Sequence, residues 1–408
     1  MIAPKIRFPE FHGEYVNDFL SEISDRVRRK NSDNQTDIPL TIASIEGLVD
    51  QRTYFGKTVA SKDMSGYYLL QNGEFAYNKS YSKGFPVGSI KRLDKYAQGA
   101  LSTLYICFAL KDDADVTSDY LVQYFNSPAW YEAVNEVCAE GARNHGLLNV
   151  SPDDFFATTH HFAPTKEEQD KVAAFLSLYD QKIENQMAKV EALETRRKGL
   201  LQQIFSQKIR FRADDGSKFP DWEDTMLSDI LTERKLKSTG NEEVYSVSVT
   251  KGLVNQIEHL GRCFAAEDTS KYKVVKPGDV VYTKSPTGDF KWGIVKQSMI
   301  NKDVIVSPLY GIFIPKSYAF GFVLDAYFSS SVRAHNYLIT QIRKGAKNTI
   351  NITNEVFLEK EVFLPTSEEE ARKIQAFVEL LDKQIQLEKD KLEAIKQVKK
   401  GLLQQMFV

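Results

Sequence analysis

Apolar residues recur at alternating steps of four and three along two proline-free stretches of the chain, residues 166–205 and 367–407. Such heptad spacing predicts two long amphipathic helices. At about 1.5 Å per residue each would be about 60 Å long, too long for one compact core. We therefore expect the two seams to pair with each other, through Val172, Leu176, Ile183, Val190, Leu193 and Leu200 on one helix and Ile374, Val378, Leu381, Ile385, Leu392, Ile395 and Leu402 on the other.

Polar residues interrupt both seams at equivalent places. They are Gln186 and Arg197 in the first stretch and Glu388 and Lys399 in the second. Such residues can select one pairing register, as polar seam residues do in coiled coils. Alternatively, they are surface positions that the helices merely tolerate, and the pattern alone leaves both interpretations open.

Capping signals mark the start of each helix. Thr165 and Thr366, each after a proline, are predicted N-caps, with Glu168 and Glu369 three residues on. A hydroxyl followed by glutamate at this spacing is the capping-box pattern.

The chain is an internal duplication. Residues 198–205 recur at 400–407 with one difference, Ile204 against Met406, and residues 73–80 are matched by 278–285. The helical stretches agree over most of their length, whereas the intervening parts agree only at isolated positions. The repeat predicts four segments: a first head (residues 1–165), a long helix (166–206), a second head (207–365) and another long helix (366–408).

Each head is predicted to be a mixed α+β domain. Strand patterns cover residues 103–110, 244–249, 280–283 and 310–314, and short amphipathic helices cover 120–125 and 322–328. The predicted fold class is α+β: two similar mixed α/β heads joined by two long antiparallel coiled-coil helices, related by an internal pseudo-two-fold repeat. We expect the heads at opposite ends of the helix pair.

Polar, basic clusters occur at corresponding places in both heads. Lysine and arginine neutralise phosphates, hydroxyls donate to them, and asparagine and arginine also bind base edges. These clusters therefore form a candidate DNA-binding surface, comprising Lys79, Ser80, Lys83, Arg143, Asn144 and His145 in the first head and Lys284, Ser285, Lys291, Lys344, Lys347 and Asn348 in the second.

The overall charge of the chain does not indicate DNA binding, so support for this surface comes only from the local basic clusters. The chain carries 53 basic and 55 acidic side chains, and residues 1–165 hold 16 basic against 21 acidic. Residues 206–365 are more basic, with 22 against 19. A first head with this excess of acid would need local phosphate contacts or a partner that supplies positive charge.

Composition excludes several protein classes. No apolar run approaches the ~20 residues of a membrane helix, and the N-terminus lacks an apolar signal region. The three cysteines, Cys107, Cys138 and Cys263, are scattered, which fits a reducing compartment better than a disulfide framework. These features predict a cytoplasmic protein with no membrane association.

Catalytic patterns are weak or absent. The sequence contains no phosphate-binding loop, no glycine-rich dinucleotide fingerprint and no amino-methyltransferase motif. His160 and His161 are adjacent, so on a strand they would point to opposite faces, and no metal site is expected. Asp221, Glu233 and Lys235 mimic a Mg²⁺ nuclease pattern, but the other half of the repeat has no counterpart to Glu233 and Lys235. No catalytic residue is therefore predicted.

The whole organisation resembles the specificity (S) subunit of type I restriction-modification enzymes. Two dissimilar heads are each followed by a similar long helix. Residues 163–172 are similar to that family's proline, Glu-Gln and Ile/Val helix start, and residues 198–205 and 400–407 are similar to its helix ends. The second copy departs from this start, because Ala371 stands where the first has Gln169.

The resemblance implies a DNA-reading adaptor that is not itself an enzyme. Each head would be a target recognition domain for one half of an asymmetric, bipartite site in double-stranded DNA. The helices would set the spacer, since half-sites on one face of B-DNA lie about one turn, ~34 Å, apart. Two methyltransferase (M) subunits would dock on the helices, and up to two restriction (R) subunits would join. S-adenosylmethionine, ATP and Mg²⁺ would be bound by those partners, with no cofactor or metal on this chain.

Two alternatives stay open from the sequence. The chain would be a coiled-coil scaffold for other proteins if it never contacts DNA. It would be a Mg²⁺ nuclease if Asp221, Glu233 and Lys235 converge on one ion.

Overall fold

The computed structural model describes residues 3–43, 46–57, 59–82, 84–138, 148–260, 268–341, 343–344 and 350–408. These residues divide into two compact units. The first unit is Met1–Ala188 with Lys389–Val408, and the second is Lys189–Glu388. Each unit thus combines one head with part of both long helices.

The first unit contains ten strands and five short helices among its described residues. The strands are β1 Val16–Phe19, β2 Ser24–Arg26, β3 Leu40–Ala43, β4 Gly47–Asp50, β5 Tyr68–Gln71, β6 Phe75–Asn78, β7 Ser89–Arg92, β8 Gln98–Leu101, β9 Ile106–Leu110 and β10 Thr159–Phe162. The helices are α1 Leu20–Ile23, α2 Gln51–Phe55, α3 Ser118–Asn126, α4 Tyr131–Val137 and α5 Pro152–Phe156, followed by the long helix α6 Lys166–Phe205.

The second unit repeats this order. Its described strands are β11 Glu223–Met226, β12 Leu231–Glu233, β13 Tyr245–Ser248, β14 Gly252–Asn255, β15 Lys273–Val275, β16 Val280–Tyr282, β17 Val295–Gln297, β18 Val304–Val306, β19 Gly311–Pro315, β20 Arg343–Lys344, β21 Ile350–Asn351 and β22 Glu361–Leu364. Its helices are α7 Leu227–Ile230, α8 Gln256–Leu260, α9 Tyr318–Phe328, α10 Ser331–Leu338 and α11 Asn354–Leu358, and the long helix α12 is Glu368–Met406.

Both heads are built on the same antiparallel sheet. The strand order is β2-β9-β6-β7 in the first and β12-β19-β16-β17 in the second. Corresponding two-stranded ladders surround each sheet, with β5 on β8 and β3 on β4 in the first head and β15 on β18 and β13 on β14 in the second. The predicted α+β heads are confirmed, including the strands and short helices expected from the hydrophobic pattern.

One face of each sheet packs on aromatic side chains. Tyr77 of β6 stacks on Phe155 of α5 with ring centroids 4.7 Å apart. Tyr282 of β16 stacks on Phe357 of α11 at 4.5 Å. Alternation along a strand sends the neighbouring Ala76 and Val281 to the opposite face, where they join a second core cluster in each head, so both faces of each sheet are covered.

In each head, an arginine that follows the edge strand binds the carboxylate directly before β6 or β16. Arg29 donates to both carboxylate oxygens of Glu74, at 3.0 and 3.3 Å, and Glu74 also accepts the backbone N–H of Gln71 at 2.7 Å. The second head repeats this with Arg234 on Asp279. Because the two pairs are each 205 residues apart, this ion pair predates the divergence of the heads.

The long helices run antiparallel wherever a unit brings them together. Lys399 is ion-paired with Asp180 in the first unit, and Arg197 with Asp382 in the second. Within the first unit, Val172 and Leu176 share a core with Phe407 while Asp180 pairs with Lys399, so residue numbers rise on one helix as they fall on the other, which is the signature of antiparallel pairing. The predicted antiparallel helix pair is therefore confirmed.

The helix ends are buried in the head cores. Val172 and Leu176 pack with Phe407 in the core of the first unit. Ile374 and Val378 pack with Ile204 in the core of the second. Part of each heptad seam thus packs against a head instead of the other long helix. A head core offers more apolar surface than a single helix does, so these seam residues are buried more fully there.

The predicted capping differs between the two helices. The hydroxyl of Thr165 accepts the backbone N–H of Glu168 at 3.3 Å, so Thr165 is the N-cap that was expected. At the second helix, Ser367 accepts the N–H of Glu370, whereas Thr366 donates to the carbonyl of Asp221. The prediction of Thr366 with Glu369 was wrong by one residue, because one extra residue separates the proline from the helix in this copy.

Candidate nucleic-acid interface

The candidate site in the second head is the loop between β16 and β17, here called the second basic loop (residues 283–293). Thr287 and Phe290 pair across it as an antiparallel bridge. Tyr282, on the buried side of β16, donates its hydroxyl proton to the carbonyl of Trp292 at 2.7 Å. The bridge closes the loop on itself, and the tyrosine bond ties its C-terminal end to β16.

Gly293 closes this loop in a conformation that favours glycine. Its φ is +101°, and a Cβ there would lie 2.8 Å from the Tyr282 ring and 2.9 Å from the backbone nitrogen of Lys284. A side chain would therefore be strained and would also collide with the strand that carries the loop.

The first head carries the same loop, here called the first basic loop (residues 78–88). Ser82 and Phe85 form its bridge, and Tyr77 donates to the carbonyl of Val87 at 2.7 Å. Gly88 has φ +84°, and a Cβ there would lie 2.0 Å from the carbonyl oxygen of Asn78. Each of these residues is 205 positions before its counterpart, so one locked loop was duplicated with its sheet.

The first basic loop lies against the chain that follows the second basic cluster of its head. The backbone N–H of Leu148 donates to the carbonyl of Lys79 at 2.9 Å, and the Lys79 ammonium donates to the carbonyl of Val150 at 3.2 Å. Ser80 is half-buried beside it, with its N–H bound to the Asn78 side chain. The predicted residues Lys83, Arg143, Asn144 and His145 lie outside the described residues.

The lysines of the second basic loop have different surroundings. Lys284 is half-buried with φ +57°. Burial lowers the pKa of its ammonium and the nearby Lys273 lowers it further, against the opposing effects of Glu233 and Glu355. Lys291, in contrast, is exposed, and Ser285 is half-buried. Phosphate contact is therefore geometrically easier for Lys291 than for Lys284.

Of the second cluster in this head, the structure describes only the backbone of Lys344. That residue lies in β20, where it pairs with Ile350 of β21. Lys347 and Asn348 lie outside the described residues.

Sequence reasoning missed a second element at this site, helix α10. Its His335 accepts a hydrogen bond at Nδ1 from the indole Nε1 of Trp292, at 3.1 Å. The helix is capped by the Ser330 hydroxyl, which accepts the N–H of Arg333. A tryptophan in a polar loop and a serine-capped helix were both visible in the sequence, but nothing in it indicated that the two would meet.

The predicted seam residues are buried to different degrees. Val172, Leu176, Val190, Ile374, Val378 and Ile385 are buried. The half-buried ones are Ile183, Leu193, Leu200, Leu381, Leu392, Ile395 and Leu402. At the C-terminal end of each helix the more deeply buried leucine is the next residue, Leu201 or Leu403. A straight α-helix drifts from the heptad repeat, which explains this shift by one position.

The two histidines that resembled a metal pair have separate partners. His160 is buried, with Nδ1 3.0 Å from the Tyr124 hydroxyl and Nε2 2.9 Å from the Thr158 hydroxyl. Burial lowers its pKa to about 3. His161 contacts Asn17 on the neighbouring strand. Within the part of the chain that the structure describes, no group of three His, Cys, Asp or Glu residues is placed to hold a metal ion.

The two carboxylates of the nuclease-like pattern, Glu233 and Asp221, also have different binding partners. Glu233 accepts a hydrogen bond from the amide of Asn354 at 2.6 Å, whereas the exposed Asp221 lies 3.8 Å from Arg210. Cys107 is buried and Cys138 is half-buried, and Cys263 lies outside the described residues. Among the helices described, none is long and apolar enough to span a lipid bilayer.

Comparison with solved structures identifies the fold. The chain matches the crystal structure of the type I restriction-modification system S subunit from M. genitalium with a TM-score of 0.54 and 13% identity, over 100% of this chain and 99% of that one. It also matches a chain from work described as "Structural basis underlying complex assembly and conformational transition of the type I R-M system", with a TM-score of 0.55 and 16% identity, over 95% and 96% of the two chains.

Comparison by sequence identified no related protein. No protein-family model matches the chain, and no curated protein matches it. The arrangement of two heads and two long helices is thus shared with these structures, at a sequence identity that supports the fold alone.

Proposed function

We propose that this chain is the DNA-specificity subunit of a type I restriction-modification complex. Each head reads one half of a bipartite, asymmetric site in double-stranded DNA. The observation that carries the proposal is the recurrence of one glycine-locked basic loop, 205 residues apart, in two heads that otherwise share little sequence. A duplicated scaffold with divergent surfaces suits a target whose halves differ.

The loops have the chemistry of phosphate and base contact. Lys291 is exposed, and Lys79 and Ser80 are partly accessible at the tip of β6. Loops held by a rigid sheet place such groups with little loss of conformational entropy on binding. The fold that the chain shares with the S subunit from M. genitalium supports the same function.

The remaining activities are proposed to reside on other subunits. Two methyltransferase subunits dock on the long helices and bind S-adenosylmethionine, and up to two restriction subunits bring ATP and Mg²⁺. The chain itself contributes recognition and spacing without catalysis. Assembly on such partners places it in the cytoplasm, and their positive charge offsets the acidic first head.

A head exchange tests the proposal directly. Residues 207–365 are replaced by the corresponding segment of another chain of this fold, and the complex is expressed with its methyltransferase subunit. Genome-wide mapping of methylated sites is expected to show one changed half-site, an unchanged other half and an unchanged spacer. Changes in both halves would contradict modular reading, and chain-independent methylation would contradict the proposed function.

A further inference from the structure

The Trp292–His335 hydrogen bond selects one tautomer of an exposed histidine. An indole nitrogen can only donate, so the 3.1 Å contact requires Nδ1 of His335 to be the acceptor. In the neutral imidazole the proton then resides on Nε2. His335 is exposed, and this ring nitrogen is a directed N–H donor at the edge of the second basic loop.

Helix α10, which carries His335, is firmly anchored on its other side. Tyr337 and Leu338 are buried, and the Tyr337 hydroxyl donates to the carbonyl of Phe357 at 2.6 Å. Arg333 lies over the Phe205 ring, 4.6 Å from its centroid, and donates to the carbonyl of Tyr327 at 2.7 Å. The helix is therefore a rigid support for its exposed face.

The exposed face of α10 combines three kinds of contact. One turn presents Val332, which is 66% exposed, with His335 and Asn336, and Ile339 follows at 41%. These positions follow the 3-4 spacing of one helix face. A donor, an amide and apolar groups side by side match what base edges offer in the major groove: purine acceptors, the adenine edge and the thymine methyl group.

We propose that this face of α10 reads base edges of the half-site bound by the second head, with the Nε2–H of His335 donating to a purine acceptor. The inference rests on the proposed function and assigns it a recognition element. Duplex DNA is the occupant because the face is continuous, through the Trp292–His335 bond, with the exposed Lys291 and its loop. The loop holds the phosphates while the helix contacts the bases.

The corresponding helix of the first head supports a reading role. Trp130 anchors α4 by donating to the carbonyl of Phe125 at 3.0 Å, as Arg333 anchors α10. Glu132, 203 positions before His335, is exposed on that helix. A carboxylate only accepts hydrogen bonds, whereas the His335 N–H donates, so the same scaffold presents opposite chemistry in the two heads. Glutamate pairs with the amino group of cytosine, which fits an asymmetric target.

The test uses the complete complex of this chain with its methyltransferase subunits and a library of randomised DNA duplexes. His335→Ala is expected to relax the preference at one base pair of the second head's half-site by about tenfold, while the other half-site keeps its sequence. His335→Gln, which retains both an acceptor for Trp292 and an N–H donor, is expected to keep part of the preference. Trp292→Phe removes the bond that orients the ring and is expected to weaken the same base pair's readout.

The matched control is His12→Ala, which removes an exposed histidine from the N-terminal segment of the first unit. It is expected to leave every base preference unchanged. Unchanged preference in both His335 variants, with thermal unfolding like that of the wild type, would overturn the assignment of α10. If the wild-type complex shows no chain-dependent sequence preference, the proposed function fails, and this inference fails with it.

Discussion

The guanidinium of Arg197 binds the carboxylate of Asp382 across the two long helices, with Nη2 2.9 Å from Oδ2. In the first unit Lys399 is bound to Asp180 in the same way. Arg197 and Lys399 are 202 residues apart, and Asp180 and Asp382 are separated by the same distance along the chain. The duplication therefore copied an interhelical ion pair. Arg197 and Lys399 are thus partnered residues of the seam, which favours the interpretation that they select the register.

Exchanging the charges of this pair tests its role in register. Arg197→Asp places two carboxylates together and is expected to lower the free energy of unfolding by about 1 kcal/mol, because both side chains are partly exposed. Adding Asp382→Arg is expected to restore most of the loss. Urea unfolding followed by circular dichroism measures both, with the exposed neighbour Lys198→Asp as control. A double variant no more stable than the single one would contradict the pairing.

The buried carboxylate at the start of α12 predicts a larger effect. Glu370 is fully buried, accepts two hydrogen bonds from Arg210 at 2.9 and 3.2 Å, and accepts a third from the Trp222 indole at 3.0 Å. Glu370→Gln removes the buried counter-charge of the guanidinium, leaving only the exposed Asp221 at 3.8 Å, and is expected to cost about 3 kcal/mol in unfolding free energy.

The adjacent Glu369 provides a matched control, because it is exposed on the same helical turn. Glu369→Gln is expected to change stability by less than about 0.5 kcal/mol. Equal costs for the two variants would favour the capping role that the sequence suggested for Glu369.

The two glycines of the first basic loop separate backbone strain from collision. Gly84 and Gly88 have φ of +88° and +84°, but a Cβ at Gly84 meets nothing within 4 Å. Gly84→Ala is expected to cost about 1 kcal/mol from conformation alone. Gly88→Ala adds the collision with Asn78 and is expected to cost about 3 kcal/mol. Thermal unfolding of the two variants, together with DNA binding by the assembled complex, checks this order, and equal losses would show that the loop can move.

Lys291 and Lys284 should differ in their dependence on salt. Lys291→Ala is expected to weaken DNA binding by the complex for all sequences and to reduce the slope of log K against log salt by about 1. Lys284→Ala is expected to change this slope less, because its ammonium is half-buried with Glu233 and Glu355 nearby. Titrations at several salt concentrations measure both slopes. An unchanged slope for Lys291→Ala would exclude it as a phosphate contact.

Lys91 predicts a pH-dependent stability. It is half-buried, and its ammonium donates to the neutral side chain of Asn126 at 2.5 Å. Burial lowers its pKa to about 8; Lys399 lowers the pKa further, and Asp180 and Glu46 oppose the shift. Between pH 8 and about 10 the unfolded chain keeps this proton and the folded chain releases it, so the lysine's contribution to unfolding free energy rises with pH.

Lys91→Met removes that contribution. Relative to this variant, the wild type is expected to gain about 2 kcal/mol in unfolding free energy from pH 8 to pH 10. Urea unfolding at intermediate pH values measures the difference, with the exposed Lys62→Met as control. Parallel pH curves for the wild type and Lys91→Met would show that the ammonium is well solvated.

The pattern of the sequence determined the elements and their repetition. Heptad spacing, caps and turn residues are local signals, and the duplication repeats them in both halves of the chain. The long helices, the α+β heads and the basic loops after β6 and β16 could therefore be predicted. The predicted Thr366 cap was wrong because one inserted residue makes the next hydroxyl, that of Ser367, the one that reaches the helix. Aligning the two halves on their prolines hides this insertion.

Only the tertiary structure decided which side chains meet. Trp292 and His335 are 43 residues apart and their contact depends on how α10 packs beside the sheet. Lys284 and Lys291 look alike in the sequence, yet packing buries one beside acidic groups and leaves the other in solvent. Burial and hydrogen-bond partners are set by long-range packing, and no local periodicity encodes them.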